Sequence, residues 1–166
     1  MKICGNSPGG LKVTLPDITF DHRLSIHLGS QLLELIFVGH CHSVGDIIVY
    51  LPNEKIVFAG DLLLCKNHPN IREGNMANWI QALDLIYGLP VEIIVPGHGG
   101  IIKDKEECRV IKEYFLKVKG KVEGEAKKGK GLEEIKSEFS LPEYGDRGKT
   151  KWLWITVEKI YRECLA

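Results

Sequence analysis

The stretch GHCHSVGDIIVYLPNEKIVFAGD, residues 39–61, decides how the rest of the chain is read. Ile47–Leu51 and Ile56–Ala59 are β-branched and aromatic runs, and Pro52-Asn53-Glu54-Lys55 between them has the chemistry of a hairpin turn. Closing the hairpin there sets Leu51 against Ile56 and Ile47 against Gly60, and carries Asp46 opposite Asp61. His42 then sits in the loop that enters the hairpin, close to Asp61. Further along, the apolar strand Val91–Val95 runs into Pro96-Gly97-His98-Gly99-Gly100, which puts a second imidazole at a strand end in tight backbone. His42, Asp61 and His98 are therefore expected at one edge of a sheet.

Neutral imidazoles and a carboxylate are ligands that borderline divalent metals prefer, zinc first, with iron or manganese as alternatives. A carboxylate has two oxygens, so Asp61 can bridge two ions about 3.5–4 Å apart. Taken singly, each residue has an ordinary explanation: a loop histidine is usually solvated or hydrogen-bonded, and Gly-Asp after a strand is usually a turn with a helix cap. The combination carries the weight.

Outward from this stretch the chain reads as strands, then helices. Positions 18, 20, 24 and 26 are apolar and alternate with polar neighbours, the pattern of a half-buried strand pair turning near Asp21-His22, and Leu32–Val38 is apolar enough to be buried on both faces. Trp79, Ile80, Leu83, Ile86 and Tyr87 recur at helical spacing, predicting a helix over 76–87 stopped by Gly88 and Pro90. A second helix is expected from Asp104, with Glu107 completing a capping box and Val110, Ile111, Tyr114, Phe115 and Val118 as its stripe. After Gly120 the lysine- and glycine-rich KVEGEAKKGKG reads as a linker or frayed helix end. A short helix near 132–139 and a closing helix from Thr150 follow. The whole is one partial domain: residues 1–120 carry the sheet, two helices and the candidate ligands, and 121–166 the linker and C-terminal helices.

Composition narrows the function classes. The 166 residues hold 22 Lys+Arg and 22 Asp+Glu, a net charge of 22 − 22 = 0, without the basic excess that nucleic-acid or acidic-membrane binding leaves. Five scattered cysteines without a CxxC pair fit neither a disulfide framework nor a thiolate zinc knuckle. With no signal-peptide pattern and no run near the roughly 18 residues that span a bilayer, a cytoplasmic, membrane-free protein is expected.

The string His42-Ser43-Val44-Gly45-Asp46, the apolar hairpin ending in Gly60-Asp61, and Val95-Pro96-Gly97-His98-Gly99 together resemble the second half of the metallo-β-lactamase superfamily domain, over about residues 12–165. The resemblance implies an α/β fold: one half of a four-layer αββα sandwich, with a largely antiparallel, mixed sheet and helices on one face. It implies that His42 is a ligand of a first zinc ion, Asp61 the bridging carboxylate at the catalytic centre, and His98 a ligand of a second ion. Ser43 and Asp46 would fix the loop, Gly45, Gly60, Gly97 and Gly99 would let the backbone come close, and His68 lies where relatives place substrate contacts. The implied activity is metal-assisted hydrolysis of a thioester, lactone, phosphodiester or similar small molecule.

The family's HxHxDH signature is absent. His40-Cys41-His42 is followed by Ser43-Val44 and does not replace it, although His40 is close enough in sequence to assist a metal. Each ion would keep one histidine and a share of Asp61, fewer than the three protein ligands of ordinary catalytic zinc sites. The chain reads as half an active site: part of a longer enzyme, a half completed by another polypeptide, or a metal-free module that binds a partner. A half-sandwich also exposes the sheet face meant for its other half, so this face should be covered by a second copy, as a homo-oligomer, or by another chain.

Overall fold

The Pro52–Lys55 turn closes the expected hairpin in a computed structural model that describes residues 14–165. Five strands, β1 (Arg23–Leu28), β2 (Gln31–Gly39), β3 (Asp46–Leu51), β4 (Ile56–Leu64) and β5 (Ile93–His98), form one sheet in the order 1-2-3-4-5. The first four are antiparallel neighbours, and β5 joins parallel to β4. That crossover runs through helix α1 (Met76–Gly88); α2 (Glu106–Lys127), α3 (Leu132–Glu138) and α4 (Thr150–Cys164) follow β5. The mixed sheet with helices on one face matches the fold class expected from sequence.

Leu51 pairs with Ile56, Tyr50 with Val57 and Val49 with Phe58, as the turn requires. The β3–β4 ladder then ends. The registers of β4 against β5 shift at Gly60, a bulge that bends the strand away. Asp46 and Asp61 are consequently not cross-strand partners, as the extended ladder would have made them.

Four other expectations are corrected. The first hairpin does not turn at Asp21-His22: β1 starts at Arg23 and meets β2 through Gly29-Ser30, where Gly29 takes φ 61° between the paired Leu28 and Gln31. Strand β2 is not buried on both faces, since Ile36 is buried while Phe37 is 40% exposed. The lysine-rich stretch after Gly120 is not a linker, because α2 continues to Lys127. Val118 and Val122 are fully buried, and Ala126, one turn on, packs against the same core, so a single apolar row outweighs the glycines and lysines around it. Nor does α2 start with a capping box: Asp104 Oδ1 accepts from the Glu106 amide, and Glu107 instead binds Arg147.

The helix-side face of the sheet contributes Ile36, Ile48, Tyr50, Val57, Ala59 and Ile94 to a core shared with Trp79, Leu83 and Ile86 of α1 and Ile111, Tyr114 and Phe115 of α2. The opposite face is also apolar. Cross-strand pairing lines up Leu24, Leu35, Val49, Phe58 and Val95 in one row across all five strands, flanked by Phe37 and Ile47. Phe37 and Ile47 are each 40% exposed and Phe58 is 45% exposed. Such a sheet is patterned for burial on both sides.

Candidate metal centre

Topology brings the three candidate residues together. Parallel β4 and β5 end at the same edge with Asp61 and His98, and antiparallel β3 begins there, so the loop before it, with His42, lies at that edge. Asp61 sits between the imidazoles: His42 Nε2 is 3.4 Å from Oδ2, and His98 Nε2 is 3.5 Å from Oδ1. Both separations exceed a hydrogen bond, and they lie near the roughly 3.3–3.4 Å edge of a tetrahedron whose zinc bonds are 2.0–2.1 Å. One carboxylate thus faces two nitrogen donors with one oxygen each. Among the described residues no group of three His, Cys, Asp or Glu side chains converges on a single ion. The arrangement is two histidine–carboxylate pairs sharing Asp61.

The close fit around Asp61 depends on Gly97. A Cβ there would lie 2.1 Å from Asp61 Oδ1 and 2.8 Å from both Asp61 N and Gly60 C. Gly99 is similarly tight against Cys65, whose amide donates to the His98 carbonyl at 3.1 Å and fixes that turn. Gly45 and Gly60 have open space where a Cβ would point, and Gly60 takes φ 53° where its backbone meets Gly97.

The His42 loop is organised by Asp46. Its Oδ2 accepts from the amides of Cys41 (3.1 Å) and Ser43 (2.8 Å), and its Oδ1 from the Ser43 hydroxyl (2.7 Å). The amides on either side of His42 are therefore tied to one carboxylate. Cys41 is fully buried and donates to the Val38 carbonyl; burial first, then the Asp46 charge, push its thiol up to about 12.

Two residues that sequence reasoning left out of the site complete its support. Trp79 packs edge to face on His42 with centroids 5.5 Å apart and donates its indole N–H to the Leu62 carbonyl at 2.9 Å, next to Asp61. Gly74 lets the segment before α1 reach the His42 loop: a Cβ would meet the Cys41 carbonyl at 2.2 Å, and Asn75 N donates to that carbonyl at 2.8 Å. A Gly-Asn pair just before a predicted helix was the available signal. Among the described residues His42 Nδ1 is buried without a hydrogen-bond partner, and the ring is held by its edge-to-face contact with Trp79.

The weaker candidates are engaged in other contacts. His40 donates through Nε2 to the Glu73 carbonyl, which takes that nitrogen away from any metal. His68 is only 4% exposed, bonds Tyr114 Oη through Nδ1 at 3.2 Å and forms part of the wall of a cavity that His98 also lines. Burial first, and the Arg147 charge second, hold it below the usual histidine range. His27 is exposed, as expected.

The sequence profile of the metallo-beta-lactamase superfamily matches residues 3–98. The chain belongs to this superfamily. It is 29% identical over 90 residues to a type 2 metallo-beta-lactamase of Bacteroides fragilis, a match covering 51% of this chain and 36% of that protein. A solved metallo-beta-lactamase from Pontibacter korlensis aligns with TM-score 0.54 at 30% identity, covering 60% of this chain and 48% of that one. A stereoselective inverting sec-alkylsulfatase from Pseudomonas sp. aligns with TM-score 0.68 at 17% identity, over 90% of this chain and 26% of that one, a likeness of fold alone. The chain thus spans about a third of the length of the Bacteroides fragilis relative. No helix among the described residues is long and apolar enough to cross a membrane.

Proposed function

We propose that this chain is the C-terminal part of a metal-dependent hydrolase whose two-metal centre is completed by ligands from another segment or chain. The observation that carries the reading is Asp61, with one oxygen turned to His42 and the other to His98. His42 and Asp61 Oδ2 would hold one ion, and His98 and Asp61 Oδ1 the other. Zinc suits this nitrogen and oxygen set, with iron or manganese as alternatives. When bound, such metals supply Lewis-acid activation of water and of the carbonyl or phosphoryl group under attack. The chain's own part is to fix the donors: Asp46 and Ser43 tie down the His42 loop, Trp79 sets the ring, and the Cys65 amide anchors His98. Side-chain exposures of 34% for Asp61 and 69% for His98 leave room for the absent ligands and a small substrate.

The substrate class is a thioester, lactone or phosphodiester. The completing half packs on the bare face built around Leu35, Val49 and Phe58, and in its absence a second copy covers that face. Light scattering tests this second statement, which a stable monomer that binds no hydrophobic dye would contradict. For function, the chain is assayed with zinc on all three probes, alone and combined with the polypeptide encoded immediately upstream. Hydrolysis should appear only in the combination, be lost with Asp61→Ala and survive His27→Ala. Turnover by the isolated chain would refute the half-site, and silence of the combination would leave a partner-binding module as the function.

A further inference from the structure

A cavity of about 270 Å³ adjoins the candidate centre, lined by Leu64, Asn67, His68, His98, Lys149 and Trp152. It approaches the roughly 300 Å³ at which small-molecule pockets begin and is nearly twice the roughly 150 Å³ that holds benzene. Its lining contains no carboxylate. Four other surface cavities, of 230–570 Å³, each include at least one Asp or Glu. Leu64 and the Trp152 indole give apolar wall, and Arg72 lies 5.8 Å from the Trp152 ring centroid, adding positive charge behind it. Lys149, the residue before α4, makes no ion pair among the described residues.

His68 turns this wall into a donor. Tyr114 is fully buried, and its hydroxyl has His68 Nδ1 as its one hydrogen-bond partner among the described residues. An unmet buried donor is costlier than an unmet acceptor lone pair, so Tyr114 donates and Nδ1 accepts. The proton of the neutral ring is then on Nε2, which has no partner among the described residues. Asp146, which acts on His68 electrostatically, is not part of the lining.

We propose that this cavity is a substrate subsite that seats a carboxylate-bearing apolar arm, with Lys149 and His68 Nε2–H on the carboxylate and Leu64 and Trp152 against the apolar part. The inference rests on His98 and Asp61 belonging to the reaction centre, since His98 is shared by both and an arm held here brings the rest of the molecule to Asp61.

The test uses the full chain with 3-phenylpropanoate as probe and 3-phenylpropanamide as its neutral counterpart, read by NMR of the histidine imidazoles. The carboxylate should shift the His68 and His98 signals and bind about tenfold more tightly than the amide, as loss of a charge-assisted hydrogen bond implies. Lys149→Met should weaken it about tenfold and Lys149→Arg should retain it; Lys149→Gln, measured in parallel, covers a variant that fails to fold. Asp61→Asn should leave the Lys149 dependence intact while abolishing the response of His42 and His98 to zinc, so a failed metal reading and a failed subsite are told apart. Equal binding of acid and amide, or affinity indifferent to Lys149, would overturn the proposal.

Discussion

Gly97→Ala puts the geometry of the site under direct load. The added Cβ would stand 2.1 Å from Asp61 Oδ1, where ordinary contact begins at 3.4 Å, so the oxygen has to retreat by 3.4 − 2.1 = 1.3 Å. The carboxylate can swing that far, but the 2.8 Å contacts to Asp61 N and Gly60 C are with backbone and need β4 and β5 to part by 3.4 − 2.8 = 0.6 Å. Overpacking of this kind costs about 1–3 kcal/mol, and the displaced oxygen exceeds the roughly 0.5 Å tolerance of a preorganised site. Urea denaturation should show that loss, and the His98 imidazole signals should shift as Asp61 moves. Gly100→Ala, with nothing within 4 Å of the new methyl group, is the control and should match the wild type. If Gly97→Ala and Gly100→Ala gave the same stability and the same imidazole signals, the close packing of Gly97 on Asp61 would be wrong.

Asp46→Ala removes the acceptor of three hydrogen bonds in the His42 loop and should cost about 2–4 kcal/mol in urea denaturation, while Ser43→Ala, losing the hydroxyl bond alone, should cost about 1 kcal/mol. The depressed His68 gives a pH effect of definite sign: the unfolded chain takes up a proton near pH 6.5 before the folded one does, so stability is full above that pH and falls as pH drops through the folded value. His68→Leu should flatten this slope between about pH 7.5 and 5, and an unchanged slope would refute the assignment. Cys41 and Cys108, buried with thiols pushed up to about 12, should resist alkylation at pH 7.5 until the chain unfolds, whereas exposed Cys164 should react at once, as peptide mapping would show.

The parts of the molecule legible in the sequence were those fixed by short-range rules. Pro52–Lys55 dictated the hairpin and its register, and the Trp79 stripe dictated α1. Strand ends follow from those elements, which is why the sequence already marks His42, Asp61 and His98 as neighbours. Local composition misled where a sparse long-range pattern decided. The Val118, Val122 and Ala126 row holds the last turns of α2 through a run of lysines and glycines, and the alternation around Ile18 and Phe20 imitated a strand that begins only at Arg23. The surroundings of His68 were not legible because they come from Tyr114, 46 residues later. Arg147 went unnoticed for the same reason: its bonds to Glu107 and to the Asn67 carbonyl join segments 40 and 80 residues apart.

The central claim is that Asp61 links His42 and His98 into one metal-binding unit. Zinc titration of the full chain, followed by the imidazole signals of all six histidines, tests it most directly. The account predicts weak binding in which His42 and His98 respond together while His22, His27 and His68 stay silent, and in which Asp61→Asn abolishes both responses at once. Tight binding that survives Asp61→Asn, or zinc responses confined to other histidines, would contradict it.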